Sequence, residues 1–261
     1  AVWPSVYPAD TVLDIFTYAG APGAYSLALG SGAGLWWQKD GFSVSANYVA
    51  VNGNVGNPSE GGIGTSGSAQ TGTVQVAYTQ PSFGLAVAYV YTSPEAGQAG
   101  LYAGNGTPLA NLGFANSDSV NSVGISGYWQ PSSSSWIPSI SAGWGINGHS
   151  SDSIAFIDGA QTQSWYVGLQ WSDVFIKGNA AGMAVGQATF FTKSGDDDIL
   201  SPNDGNYAWE WWYKFQVTDN ISVTPAIFYL SAPLGQEIRG VGFNDATLSN
   251  FGGLVKTTFK F

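Results

Sequence analysis

The sequence predicts an all-β fold, an antiparallel transmembrane β-barrel. Three observations lead to this prediction: apolar and polar residues alternate along most candidate strands, short and long connections alternate between those strands, and only 9% of the residues are charged. Soluble globular domains carry about 25% charged residues. Outer-membrane barrels combine a lipid-facing apolar wall with short connections at one rim and long connections at the other.

The clearest strand is residues 207–217, YAWEWWYKFQV. A period of two along β-prone residues indicates an extended strand rather than a helix. One face consists of Tyr207, Trp209, Trp211, Tyr213, Phe215 and Val217, and the other includes Glu210 and Lys214. Because no amphipathic helix is predicted to cover such apolar faces, lipid is their simplest environment. In hydrocarbon a sheet must close so that every backbone N–H and C=O group is paired.

The composition excludes several classes of protein. No run of about 18 apolar residues is present, so a membrane-spanning helix is not expected. Cysteine is absent, which rules out disulfides and thiolate metal sites. The net charge of −10 argues against a nucleic-acid partner, whose phosphates require Lys and Arg. His149 is the only histidine, lies in a predicted loop and has no triad partners nearby, so neither an enzyme nor a cofactor is expected.

Two regions are predicted along the chain. Residues 1–31 contain Pro4, Pro8 and Pro22 and are predicted to form an extracellular or lumen-folded loop, with 12–18 as a single short strand at most. Residues 32–261 are predicted to carry the barrel strands. The chain begins at Ala1 without a signal peptide, and we expect that upstream sequence has been removed. The predicted strands are 35–38, 42–51, 73–79, 83–92, 120–129, 136–146, 163–171, 180–191, 207–217, 221–230 and 251–261.

The strand count and the connections together suggest a piece of a larger barrel. Long connections at 52–70, 93–118, 147–162, 192–206 and 231–250 are predicted to lie outside the cell, with short turns in the periplasm. Eleven strands are predicted, whereas single-chain bacterial barrels have an even number. Either 12–18 supplies a twelfth strand, or the chain is the C-terminal portion of a larger barrel; we favour the second.

Five residues are predicted to line the pore because they alternate with lipid-facing positions: Glu210, Lys214, Lys256, Tyr166 and Gln170. Glu210 and Lys214 either face the solute or pair with charges on neighbouring strands and stiffen the wall. Small and polar inward positions on other strands, among them Ser122, Gly124 and Gly143, favour a wet lumen.

A constriction loop is a second candidate site, within residues 1–31. Such a loop can fold into the lumen of a barrel, where Asp10, Asp14, Tyr7 and Tyr18 would narrow it and contact solute. The alternative is a loop packed on the wall without contact to solute. The acidic run at 196–198 is either a divalent-cation site or, more simply, a solvated acidic loop.

Two stretches near the C-terminus carry a family resemblance: YAWEWWYKFQVTDNISVTPAIFYLS (207–231) and SWYVGLQWSDVFIKGNAAG (164–182). With the terminal strand FGGLVKTTFKF, they resemble the cyanobacterial branch of the carbohydrate-selective OprB porins, which includes iron-uptake porins with an S-layer-homology domain. The resemblance implies a sixteen-stranded, trimeric channel in the outer membrane. It also implies an assembly signal in the final strand, with Phe251, Phe259 and Phe261 on one face.

The predicted function is passive diffusion of small hydrophilic solutes through an outer-membrane porin, with sugars, inorganic ions and iron as candidates. The alternative is a mainly structural envelope barrel whose lumen is plugged. The expected partners are outer-membrane lipid, the solutes and two further copies of the chain.

Overall fold

The computed structural model describes residues 11–25, 28–93, 102, 104–132, 136–195, 204–235 and 248–260. Its strands are β1 (Ser31–Lys39), β2 (Phe42–Ala50), β3 (Gln70–Gln80), β4 (Phe83–Thr92), β5 (Ser119–Trp129), β6 (Ser139–Ser150), β7 (Gln161–Ser172), β8 (Ala180–Lys193), β9 (Tyr207–Thr218), β10 (Ile221–Ser231) and β11 (Ser249–Phe259). One α-helix, α1 (Pro108–Ala115), lies between β4 and β5, and 3-10 turns form at Asp14–Phe16 and Tyr18–Gly20.

The eleven strands form one antiparallel sheet in which each strand pairs with its neighbours in sequence, from β1 at one edge to β11 at the other. The predicted fold class, an all-β antiparallel sheet, is therefore confirmed. No helix in the described ranges is both long and apolar enough to span a membrane. Tight turns fix the register, as at Asp40 and Gly41, whose φ angles of 50° and 86° suit a two-residue hairpin loop.

The sheet has two chemically different faces, most clearly at β4. Phe83, Leu85, Val87, Tyr89 and Tyr91 are exposed, and the residues between them are buried. We call the face with the exposed aromatic and aliphatic side chains the apolar face, and the opposite one the covered face. The covered face carries mainly small and polar residues, including Ser43, Gln75, Ser122, Ser164 and Thr224.

Exposure also changes across the width of the sheet. Every residue of β1 from Gly32 to Lys39 is exposed, and β11 is exposed along nearly its whole length. In contrast, alternate residues of β8 are buried and only Lys193 is exposed. The covered face is therefore occupied over the middle of the sheet and open near its two edges.

The structure differs from the sequence prediction in several places, and β1 already starts at Ser31 rather than at residue 35. Residues 12–18 form 3-10 turns rather than a strand, and the connection 93–118 contains α1. β6 starts at Ser139 rather than Trp136 and continues to Ser150, so His149 is a strand residue and not a loop residue. As a result, the connections 130–138 and 151–160 are of similar length, and the alternation of short and long connections is weaker beside β6 than elsewhere.

Replacing Trp211 by arginine tests which face contacts lipid. Trp211 lies on the apolar face of β9, so the substitution should lower the free energy of unfolding by about 2–4 kcal/mol if the site is near the bilayer midplane. Lys214→Gln, on the covered face of the same strand, should have a smaller effect. Denaturant titrations of the complete protein in lipid would measure both, and the opposite order would contradict this assignment of the faces.

Candidate functional site

A short segment of chain crosses the covered face of the sheet. Residues 11–25, here called the transverse segment, contact β5, β6, β7 and β8 through their two 3-10 turns. At one end the segment reaches β9 and β11, and at the other it packs against β4. All residues from Ala19 to Tyr25 are buried.

Glu210 anchors the start of this segment. Its two carboxyl oxygens accept hydrogen bonds from consecutive backbone N–H groups, Val12 N at 2.7 Å and Leu13 N at 2.8 Å. Glu210 is 0% exposed, so these bonds lie away from water. Buried hydrogen bonds to a carboxyl group are among the stronger ones in proteins, and a donor left without a partner is costly. The side chain therefore fixes the backbone of the segment at one point on β9.

Lys256 adds a second attachment from the edge strand β11. Its Nζ donates a hydrogen bond to the Thr11 carbonyl oxygen at 3.3 Å. Lys256 and Glu210 lie on the covered face of different strands and meet through residues 11–13. The Glu210 carboxyl group thus binds the N–H groups of Val12 and Leu13, and the Lys256 side chain binds the carbonyl oxygen of Thr11.

Beyond Glu210 the segment is held by apolar packing. Phe16 is fully buried and lies in a cluster on the covered face of β7 to β10. The buried members of that cluster besides Phe16 are Tyr166, Ala184, Ala208, Trp212 and Ala226. Truncation of a buried Phe typically costs about 3–5 kcal/mol. This cluster makes the segment part of a packed core.

Small residues of the sheet allow the second half of the segment to approach the wall closely. A Cβ atom at Gly143 would lie 1.8 Å from the Ala19 carbonyl oxygen, and one at Gly145 would lie 2.9 Å from Ala21 Cα. Ser164 Oγ donates to the Gly20 carbonyl oxygen at 2.7 Å. The chain bends here through left-handed backbone, with φ of 52° at Tyr18, 51° at Ala19 and 68° at Gly20. Such conformations persist where the surrounding contacts impose them.

The far end of the segment is fixed by Tyr25. Its ring packs with Ala24 of the segment and with Ala88 and Val90 of β4. Burial raises the pKa of the Tyr25 phenol further above neutrality. The segment therefore ends in an uncharged, packed contact rather than in an ion pair.

The predicted pore-lining residues all lie on the covered face, but in two different environments. Glu210 and Tyr166 are buried under the transverse segment, whereas Lys214, Lys256 and Gln170 are partly exposed. The small and polar positions Ser122, Gly124 and Gly143 lie under the transverse segment, which packs directly against β5 and β6.

The predicted constriction residues divide in a similar way. Asp14 is exposed at the first 3-10 turn, and Tyr18 is half-buried at the bend. Tyr7 and Asp10 lie outside the described residues, as do Phe261 and the acidic run 196–198. Phe251 and Phe259 are exposed on the apolar face of β11.

Several residues that hold the segment were not predicted, notably Phe16, Trp212 and Gly145. Phe16 belongs to a stretch without a regular period, and its partners are far away in sequence. The alternation along 207–217 puts Trp212 on the same side as Glu210 and Lys214, but it does not distinguish a buried position there from an exposed one.

His149 and Asp204 organise a second buried polar region, at the end of the sheet with the long connections. The two ring nitrogens of His149 lie 2.9 Å from the hydroxyls of Ser117 and Thr162. Asp204 accepts from Thr107 Oγ1 at 2.5 Å and from Phe191 N at 2.8 Å, and Thr107 caps the first turn of α1. These bonds tie α1 to β8. They hold the helix against the end of the sheet with the long connections.

Among the described residues no group of His, Cys, Asp or Glu side chains is arranged to hold a metal ion.

Comparison with protein families identifies the chain. The carbohydrate-selective porin family, OprB, matches residues 19–261, which include the end of the transverse segment and the whole sheet. The chain belongs to the OprB porin family. Members of this family are outer-membrane proteins of Gram-negative bacteria, so the predicted family and location are confirmed.

Two curated cyanobacterial relatives are similar to this OprB chain, and both are named as uncharacterized proteins. One, from Synechocystis sp. (strain PCC 6803), is 27% identical over 248 residues, which cover 89% of this chain and 43% of the relative. The other, from Nostoc sp. (strain PCC 7120), is 28% identical over 159 residues, covering 60% of this chain and 24% of the relative. The chain thus spans less than half the length of each. No solved structure matches it.

Proposed function

We propose that the chain forms part of an outer-membrane porin through which small hydrophilic solutes diffuse passively, without catalysis. Sugars are the first candidates because of the family, followed by inorganic ions and iron. In this proposal the apolar face contacts lipid, the covered face surrounds the channel, and the transverse segment narrows it. The complete barrel would have sixteen strands, assemble as a trimer and use the terminal strand with Phe251, Phe259 and Phe261 as its assembly signal.

The observation that carries this proposal is the position of the transverse segment. It crosses the covered face from Lys256 of β11 to β4 and leaves β1 and most of β11 exposed. A segment inside a barrel that covers part of the wall reduces the cross-section without closing it. The exposed Asp14 carboxylate then lies on the side of the segment available to solute.

The structural alternative is supported by the extent of burial. The covered face is packed from β4 to β9, and Glu210, Tyr166 and Trp212 are inaccessible there. If the remaining wall and its loops fill the space that is left, the barrel would be plugged and its role mechanical. The two functions predict different electrical behaviour.

Single-channel recording of the complete protein in planar bilayers separates them. Discrete, long-lived conductance steps, together with swelling of liposomes in neutral sugars, would support the porin. Correctly folded protein that produces neither steps nor swelling would contradict the porin and support the structural barrel.

We also expect a mild preference for cations at low salt. Acidic residues outnumber basic ones by 17 to 7, and Asp14 adds an exposed carboxylate on the transverse segment. Fixed negative charge near a channel mouth concentrates cations, and salt screens this effect over about 10 Å at 0.1 M. A reversal potential measured under a salt gradient would test this. Anion preference would instead show that Lys214 and Lys256 dominate the field.

A further inference from the structure

The connection between β7 and β8, residues 173–179, exposes two large apolar side chains. Phe175 is 94% exposed and Ile176 is 64% exposed. The adjoining connection between β5 and β6 exposes Trp136 to 84%. Phe175 and Trp136 are more exposed than any described aromatic side chain on the strands, of which Phe251 at 71% and Trp36 at 70%, both on edge strands, are the highest. Apolar surface presented in this way marks an interaction site.

The exposure does not result from a loosely held turn. Gly178 N donates to Asp173 Oδ1 at 2.8 Å, Ile176 N donates to Val174 O at 2.7 Å, and the Tyr213 hydroxyl donates to Val174 O at 2.8 Å. Asn179 further bonds to Tyr213 OH and to Gln216 N. The conformation is therefore fixed by hydrogen bonds to β9.

That fixed conformation also carries backbone strain. Phe175 has φ of 62°, in the left-handed region that a bulky residue rarely adopts. Asp173 has φ of 58° in the same turn. A strained turn that points an aromatic ring outward is retained where the surrounding structure imposes it.

The position of the turn indicates what it contacts. The Phe175 ring stacks at 6.2 Å on Tyr213, which belongs to the apolar face, so Phe175 continues that face beyond the end of the strands. Trp171 Nε1, from the end of β7, donates to the Trp136 carbonyl oxygen at 2.7 Å, which joins the two connections into one patch. Lys177 is exposed next to Ile176.

We propose that Phe175, Ile176 and Lys177, together with Trp136, form an anchor that inserts into the lipid interface at the rim with the short connections. Phe175 and Ile176 would enter the upper acyl-chain region, and Lys177 would contact lipid phosphate. Aromatic rings favour this boundary, and Lys is attracted to anionic headgroups there. The inference goes beyond solute passage and rests on the chain crossing the outer membrane.

Depth-dependent fluorescence quenching of the complete protein tests the anchor. The chain contains no cysteine, so Ile176→Cys can be labelled specifically once any cysteine elsewhere in the protein is replaced. The labelled protein would be placed in phosphatidylcholine/phosphatidylglycerol vesicles with nitroxides at defined depths. We expect severalfold stronger quenching by a nitroxide high on the acyl chain than by aqueous iodide.

The matched control is Ser82→Cys, in the short connection between β3 and β4, where the native residue is polar and exposed. This label should show the opposite preference, with iodide the stronger quencher. Equal quenching at the two positions would contradict a specific anchor. Protection of position 176 from both quenchers would also contradict it, because a protein surface rather than lipid would then cover the turn. Conductance of the same samples reports separately on the channel.

Discussion

Replacing Glu210 by alanine is expected to raise the single-channel conductance of the complete protein and to lower its stability. The substitution removes both acceptors of the Val12 and Leu13 N–H groups, which lie in a fully buried site. Each buried donor left without a partner costs about 1–3 kcal/mol. The start of the transverse segment should therefore leave the wall and widen the channel. Planar-bilayer recording measures the conductance, and denaturant titration measures the free energy of unfolding.

Two variants on β9 serve as controls. Glu210→Gln keeps the size of the side chain and one acceptor oxygen, so both effects should be intermediate. Lys214→Gln lies on the same face of β9 but outside the pair of bonds to Val12 and Leu13, so it should leave stability nearly unchanged. If conductance of folded Glu210→Ala equals that of the wild type, the segment does not narrow the channel. If Glu210→Ala fails to fold, the conductance of Glu210→Gln is compared with that of the wild type instead.

The fold was predictable because the alternation of residues along each strand indicates which face of the strand is apolar. The period of two in β9 separates Trp209 and Trp211 from Glu210, and the observed exposure of the two tryptophans against the burial of the glutamate follows the same alternation. Strand ends were less predictable. β6 continues through Asn147, Gly148 and His149, residues typical of loops, because pairing with β5 and β7 overrides their weak strand preference.

Only part of the candidate site around the transverse segment was predictable from the sequence. Alternation places Glu210 and Tyr166 on the covered face, but it cannot distinguish a side chain that faces solute from one that holds another part of the chain. The bonds from Glu210 reach residues almost 200 positions earlier, with sequence separations of 198 and 197. Residues 12–20 show no regular period because 3-10 turns and three left-handed residues follow one another there.

Replacing Gly143 by alanine is expected to displace the second half of the transverse segment. The added Cβ would lie 1.8 Å from the Ala19 carbonyl oxygen and 2.7 Å from its carbonyl carbon. Both are backbone atoms, so no side-chain rotation relieves the overlap. The bend at Ala19 and Gly20 would have to move away from β6, with loss of the Ser164 hydrogen bond to Gly20. Overpacking of this kind typically costs about 1–3 kcal/mol, occasionally more.

Gly148→Ala is the matched control for Gly143→Ala, since it lies in the same strand and a Cβ there has open space. Replacing glycine by alanine should change the strand preference equally at both positions. The difference in stability between the two variants therefore measures the contact between Gly143 and the transverse segment. We expect lower stability and altered conductance for Gly143→Ala alone. Equal stability and equal conductance of the two variants would show that residues 19–21 do not rest on β6 in the folded protein, because the overlap depends entirely on that contact.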